Sequence, residues 1–266
     1  MIQVNNFGRV IEVIVDDMLF SSVDYAVEGT VPFDNDPLPN ESEIKLWNLS
    51  PETISLLTRN SIVGINAGYK GDIGLILHGR LSKAVTKPQG VDLITTIYVM
   101  DSEDLSKRKV TDVAYAEGTL ASYILKDMAA QLGLPIAQFD LNRDYRYEEG
   151  YTASGKVTDI ITKIAKDCGT SAYVNKGKLY IRNLRRGADD VFALSPQTGL
   201  IGSPEPFEDE HFKGYSIKSQ LQYRITTASV IDLSSKQFSG RVHVRRGSHH
   251  FSRTGNFTTE VEAILP

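Results

Sequence analysis

GYTASGKV, residues 150–157, has the Gly to Gly-Lys spacing of a phosphate-binding loop. The position after Lys156 should be Ser or Thr to hold magnesium, and Val157 stands there. RDYRYEE before it is not a buried apolar strand, and Glu148 and Glu149 repel phosphate. The expected structure is a loop that caps a helix. His243, His249 and His250 lie beside Arg245 and Arg246. Zinc needs three or four convergent ligands with an ordered outer shell. Adjacent residues on a strand face opposite ways, which separates His249 from His250. His243 and His249 could meet across a hairpin. The expectation is a solvated basic hairpin, able to meet an acidic partner. Asp34, Asp36, Asn40, Glu41 and Glu43 lack the order of a calcium loop and have two prolines among them, so they read as a solvated loop. Cys168, the single cysteine, falls on the apolar face of a helix and reads as a small core residue. No G-x-S-x-G elbow and no marked carboxylate pair appears. The tyrosines at strand positions (Tyr98, Tyr173, Tyr180, Tyr215 and Tyr223) lack the basic groove that single-stranded nucleic acid needs. The chain is therefore expected to have no catalytic residues, no cofactor and no metal.

The elements around these residues are mostly strands. Arg9–Val15 alternates and stops at Asp16-Asp17. Val23–Val31 alternates again, PFDNDPLPNESE must be loop, and Ile44–Trp47 is a third strand. NLSPETISLLTRN is a short helix with Ser50 as cap and Pro51 in its first turn. In the middle, GTLASYILKDMAAQLGL places Leu120, Ile124, Met128 and Leu132 at helical spacing, with Gly133 as the stop. SGKVTDIITKIAKDCG places Val157, Ile160, Ile161, Ile164 and Cys168 on one face, with Ser154 as cap and Gly169 as stop. SAYVNKGKLYIRN is a hairpin around Asn175-Lys176-Gly177. From Asp189 to Gly214 the chain reads as loop, with two prolines in SPEPF and acids at Glu208, Asp209 and Glu210.

Two stretches resemble each other, Ser61–Val99 and Ser229–Ile264. Each opens with a short apolar strand. Each continues through Gly74 or Gly240 to Leu75-Ile76-Leu77 or Val242-His243-Val244, and that strand is expected to end at Gly79 or Gly247. A third glycine (Gly90, Gly255) and a Thr-Thr pair (Thr95-Thr96, Thr258-Thr259) follow. The expected fold is mainly β with an α+β insert, two similar β-barrel domains flanking a small α/β middle region. The boundaries are 1–105, 106–190 and 191–266. Ile76, Leu77, Val242 and Val244 are expected in a barrel core or a subunit interface.

The 266 residues carry a net charge of −4. A duplex-binding protein normally shows a basic excess, which is missing here. The N-terminus does not read as a signal peptide and no apolar run reaches membrane length. The expectation is synthesis in a cytoplasm and no stable membrane binding.

The order of parts resembles the hub proteins of phage tail baseplates, including the late-control proteins and the hub part of type VI secretion spikes. Three segments carry it: SPETISLLTRNSIVGINAGYKGDIGLILHGRL; the pair GTLASYILKDMAAQLGL and SGKVTDIITKIAKDCGTSAYVNKGKLYI; and HFKGYSIKSQLQYRITTASVIDLSS with GRVHVRRGSHHFSRTGNFTTEVEAI. Gln222-Tyr223 stands where the family usually has an Asn-Pro-like turn. The resemblance implies a virion-tail protein assembled in the host cytoplasm, without an appended lysozyme, peptidase or fibre. It implies a homotrimer that meets tail tube or distal tail protein, spike or tail-tip protein, and tape measure protein. DNA would only pass through its channel. Two similar units in each of three chains would match a sixfold tube. The rivals are a tailocin or secretion-type injection device, a tail-associated cell-wall hydrolase, and a carbohydrate-binding module displaying Trp47.

Overall fold

The computed structural model describes residues 7–103, 105–186, 191–209 and 212–266. Asp189, Asp190, Glu210 and His211, used in the loop and boundary expectations above, lie outside them. The fold is mainly β. The first part holds β1 (Arg9–Val15), β2 (Met18–Ser21), β3 (Val27–Phe33), β4 (Glu41–Trp47), α1 (Pro51–Leu56), β5 (Ile62–Tyr69), β6 (Asp72–Gln89) and β7 (Asp92–Met100). The middle holds β8 (Lys109–Tyr115), β9 (Thr119–Leu120), α2 (Ala121–Leu132), β10 (Ile136–Asp140), β11 (Arg146–Tyr147), β12 (Tyr151–Lys156), α3 (Val157–Asp167), β13 (Ser171–Asn175) and β14 (Lys178–Arg182). The last part holds β15 (Val191–Leu194), β16 (Leu200–Glu208), β17 (Lys213–Gln220), β18 (Val230–Ser234), β19 (Ser239–Ser252) and β20 (Thr258–Ile264).

Local chemistry accounts for most of these ends. Ser50 Oγ accepts the Thr53 N–H at 3.1 Å and caps α1, with Pro51 in the first turn. Gly133, at φ +78°, closes α2. Lys176 and Gly177 are both at positive φ, as a tight two-residue hairpin requires. Four expectations need correction. The strand expected over Val23–Val31 begins only at Val27, because Asp24 and Tyr25 donate to the Ser21 carbonyl and make a turn between β2 and β3. Ser154 does not cap α3. It lies within β12, paired with β8, and Lys156 precedes the helix without a side-chain cap. The same pairing makes residues 151–156 strand rather than a loop. Residues 200–208 also form a strand, β16, despite Pro204 and Pro206. Its free edge needs no N–H, which is where strands tolerate proline.

One open sheet carries both ends of the chain, in the order β16-β17-β20-β19-β3-β4-β7-β6-β5-β1-β2, with β18 and β15 branching from β19. Among the described residues its strand path does not close on itself. The repeat is visible as two antiparallel meanders, β5-β6-β7 and β18-β19-β20. Each has one long central strand with a bulge, after Leu81 in β6 and after Val244 in β19. Just before the bulge, Arg80 pairs with both Ile62 and Met100, and His243 with both Val230 and Ile264. Arg80 therefore corresponds to His243. The glycine match of Gly79 with Gly247 is displaced, and neither strand ends at its glycine. Both glycines instead sit where backbones close in. A Cβ at Gly79 would meet the Met100 carbonyl oxygen at 2.1 Å, and one at Gly247 the Glu260 carbonyl oxygen at 2.4 Å. The flanking strands match too: β4 pairs β7 as β17 pairs β20, and β3 pairs β4 as β16 pairs β17.

Two cores form under this sheet. Ile11, Val13, Ile44, Leu46, Ile65 and Ile97 anchor the first, and Ile217, Ile231, Val242, Val244 and Ala263 the second. They exchange side chains: Phe251 of β19 and Phe257 enter the first, and Phe33 of β3 the second. The middle region has its own core, where α2 (Ile124, Leu125, Met128) packs on α3 (Ile160, Ile161, Ile164) with buried Cys168 and Ile181.

Candidate functional site

Eight consecutive strands of the sheet, β16-β17-β20-β19-β3-β4-β7-β6, share one polar face. Cross-strand partners lie on the same face, so the register defines it. One row reads Lys83, Tyr98, Glu43, Thr30, His250, Thr258, Gln220. Another reads Val85, Thr96, Lys45, Glu28, Ser252. A third reads Pro32, Ser248, Glu260, Lys218, Ile201. The opposite face carries the two cores. The alternation thus puts apolar residues on one side and mostly polar ones on the other, except at one end, where Ile264 and Phe207 pack with Tyr173, Tyr180 and Leu184 of the middle region.

Charges on this face are mixed and largely compensated. Arg246 forks onto Glu262 through two bonds of 2.7 Å. Lys218 pairs with Glu260 at 2.7 Å, and Lys45 with Glu28 at 3.4 Å and Glu43 at 3.7 Å. A groove of about 800 Å³ opens here between β16 and β3, lined by Glu205, Lys218, Arg246, Glu260 and Glu262 among others. Two of its acids are met by bases, Glu260 by Lys218 and Glu262 by Arg246. Among the described residues no cluster of three or more His, Cys, Asp or Glu is placed to hold a metal. No helix among them is long and apolar enough to cross a membrane.

The expected solvated basic hairpin is overturned. His243 and His249 lie on the same strand and are both buried. His249 Nδ1 bonds the Thr259 hydroxyl at 2.9 Å and its ring packs against Phe33. Burial holds its imidazole down to about 3, so it is neutral. His250 faces the other way and bonds Thr30 Oγ1 at 3.1 Å. Ile76 and Leu77 are buried in the first core, Val242 and Val244 in the second. Trp47 is half-buried on β4.

The junction of the three parts is tied by polar bonds. Asp72, at the start of β6, takes two bonds from Arg224 and one from the Tyr223 hydroxyl. The Tyr223 ring fills the space over Gly74, where a Cβ would lie 2.2 Å from it. Gln222-Tyr223, the departure from the family turn, is therefore a clasp. The insert's hairpin turn reaches the same place. Lys176 donates to the Leu75 carbonyl at 2.6 Å and Asn175 to Thr226 Oγ1 at 2.8 Å. Nearby, Asp101 is buried and accepts the Asn40 N–H at 3.0 Å. Burial pushes its carboxyl up to about 7. Burial also raises Asp34 above the usual carboxylate range. The acidic loop is thus partly an internal feature. Sequence reasoning missed Asp101 and Arg224; a lone charge beside an apolar strand gives no sign of its distant partner.

Residues 41–237 match the family described as Baseplate hub gp41. No curated protein matches the chain in sequence. Among solved structures, the chain is similar to a tail protein from Neisseria meningitidis MC58, at a TM-score of 0.69 and 9% identity, covering 97% of both chains. It is similar to a 43 kDa tail protein of prophage MuSo2 from Shewanella oneidensis, at 0.67 and 7%, covering 97% of this chain and 99% of that one. It is also similar to an E. coli component of the type VI secretion system, itself described as resembling T4 tail proteins gp27 and gp5, at 0.63 and 10%, covering 99% of this chain and 76% of that one. At these identities the likeness is one of fold.

Proposed function

The chain belongs to the Baseplate hub gp41 family, and from that premise we propose that it forms the homotrimeric hub of a tail, a ring that joins the tail tube to spike or tail-tip proteins. The single observation that carries this is the internal repeat of one strand pattern, β3-β4-β7-β6-β5 and β16-β17-β20-β19-β18. Three chains with two such units each give six similar units around an axis, which suits a sixfold tube. In this reading residues 1–105 and 191–266 are the two barrel-like units, completed by their neighbours, and 106–190 is the insert.

The polar face of the eight-strand run lines the channel. Of the charges placed on it by register, acids (Glu28, Glu41, Glu43, Asp92, Glu205, Glu260, Glu262) slightly exceed bases (Lys45, Lys83, Lys87, Lys218, Arg246 and Arg80). Lys45, Lys218 and Arg246 are bound to acids. Fixed positive charge would hold DNA by its phosphates; this surface lets tape measure protein and DNA pass. The role is assembly and gating rather than catalysis, at the tip of a virion tail built in the host cytoplasm. The likeness to a type VI secretion component supports a second reading, the same ring in a secretion-type injection device.

Quantitative mass spectrometry of purified tail particles tests the proposal. It should find this chain at half the copy number per ring of the sixfold tube protein. Particles that lack the chain altogether would sink it.

A further inference from the structure

The long central strands β6 and β19 have equivalent pairings but for one. The C-terminal half of β19, past its bulge, is covered on its second side by β3, in the register Gly247 with Phe33 through Ser252 with Glu28. Among the described residues, the matching half of β6, residues 82–89, has β7 on one side and an open edge on the other, because β5 pairs only as far as Arg80. The strand equivalent to β3 is β16, and its outer edge is open too among the described residues. Resting on the trimeric reading, we infer that β6 of one chain pairs antiparallel with β16 of the next, repeating between chains the β19–β3 contact made within each.

The repeat fixes the register. Arg80 corresponds to His243, so Lys87 corresponds to His250. Thr30 and Glu205 correspond because each sits opposite an equivalent residue of the next strand, Glu43 and Ser216. Within the chain His250 faces Thr30 and the two side chains bond at 3.1 Å. Between chains Lys87 then faces Glu205, and Val85 faces Phe207. Both charged residues are exposed, and Val85 is 37% exposed. The contact thus supplies a cross-strand ion pair beside an apolar pair.

Backbone parity agrees independently. Gln89 and Asp92 close the β6–β7 turn, so Ala84, Thr86 and Pro88 point their main-chain groups outward. The bond from Asp209 N–H to the Phe212 carbonyl turns Glu205 and Phe207 toward β17, and Pro204, Pro206 and Glu208 outward. The register places Ala84 opposite Glu208 and Thr86 opposite Pro206, outward groups against outward groups. Ala84 and Glu208 can exchange both bonds, and Thr86 N–H can reach the Pro206 carbonyl. The prolines and lysines would also discourage promiscuous edge pairing. That role alone does not require the parity or the opposite charges to match.

Disulfide trapping tests it. The variant carrying K87C and E205C, oxidised in dilute solution, should give covalent trimers on a denaturing gel, while K87C with E208C gives none above background. Cys168 is buried and serves as its own control in the wild type. A wild-type chain that is trimeric by light scattering, with no cross-link from the first pair, would overturn this pairing and leave the ring intact. A chain monomeric at every concentration and without cross-links would overturn both.

Discussion

Arg224 grips Asp72 across 152 positions of sequence, with Nη1 2.9 Å from Oδ2 and Nη2 2.5 Å from Oδ1. The same guanidinium lies over the Tyr223 ring, 4.2 Å from its centre. The pair fastens the loop after β17 to the first turn of β6, and so holds the second half of the sheet to the first. Both side chains are less than one-third exposed. R224A leaves Asp72 with only the Tyr223 hydroxyl, and should cost about 1–3 kcal/mol. R224K, which keeps the charge and loses the fork, should recover part of that. Chemical denaturation of the three proteins checks the order. Equal stability of R224A and wild type would remove the clasp from the account.

The close approaches at the long strands make the next prediction. G79A and G247A each drive a methyl into a backbone carbonyl that cannot step aside. Each should lower stability by about 1–3 kcal/mol. G64A is the control, since its nearest neighbour is the Leu75 side chain at 3.9 Å, and it should be nearly neutral. Thermal melts of the set decide it.

Two buried groups tilt the pH profile in opposite directions. The Asp101 carboxyl sits above its unfolded value, up to about 7, so the folded state holds that proton more tightly. Its stabilising effect is full below the unfolded carboxylate range and is lost as pH rises toward 7. D101N keeps the acceptor for the Asn40 N–H. It should therefore gain stability relative to wild type on going from pH 4 to pH 8. A difference between the two that does not change over that range would contradict the burial argument.

His249 behaves conversely. Its imidazole is held down to about 3, below its ordinary 6.5. The unfolded chain takes up a proton there that the folded chain refuses, so stability falls as pH drops from about 6.5 toward 3. H249Q, which keeps a polar group near Thr259, should flatten the acid side of the melting curve even where it lowers the plateau. An unchanged acid slope would show that this ring carries no part of it.

Legibility followed the range of the interaction. Ser50-Pro51, Gly133 and Lys176-Gly177 act within a few residues, and each does in the structure what its sequence signals. Val242 and Val244 are buried by the alternation of β19, whereas the adjacent Ile76 and Leu77 are both buried because Ile76 is the extra residue of a bulge opposite Ile65 and Asn66. What was hidden depends on distant partners. Pro204 and Pro206 read as loop because nothing local says that their strand is an edge. His243 and His249 read as solvated because the Thr259 and Phe33 that receive His249 come from other strands. The repeat was legible as a pattern, but its glycines misled the alignment. They mark where a carbonyl presses close, and that place is not the same in the two meanders. The polar face emerged only from register, since no single strand shows which of its two sides its neighbours will share.

The central claim is that three copies close a ring, and the mass in solution tests it most directly. Light scattering across a concentration series should approach about 88 kDa, three times the 29.4 kDa chain. A mass that stays at one chain at every concentration would contradict the ring.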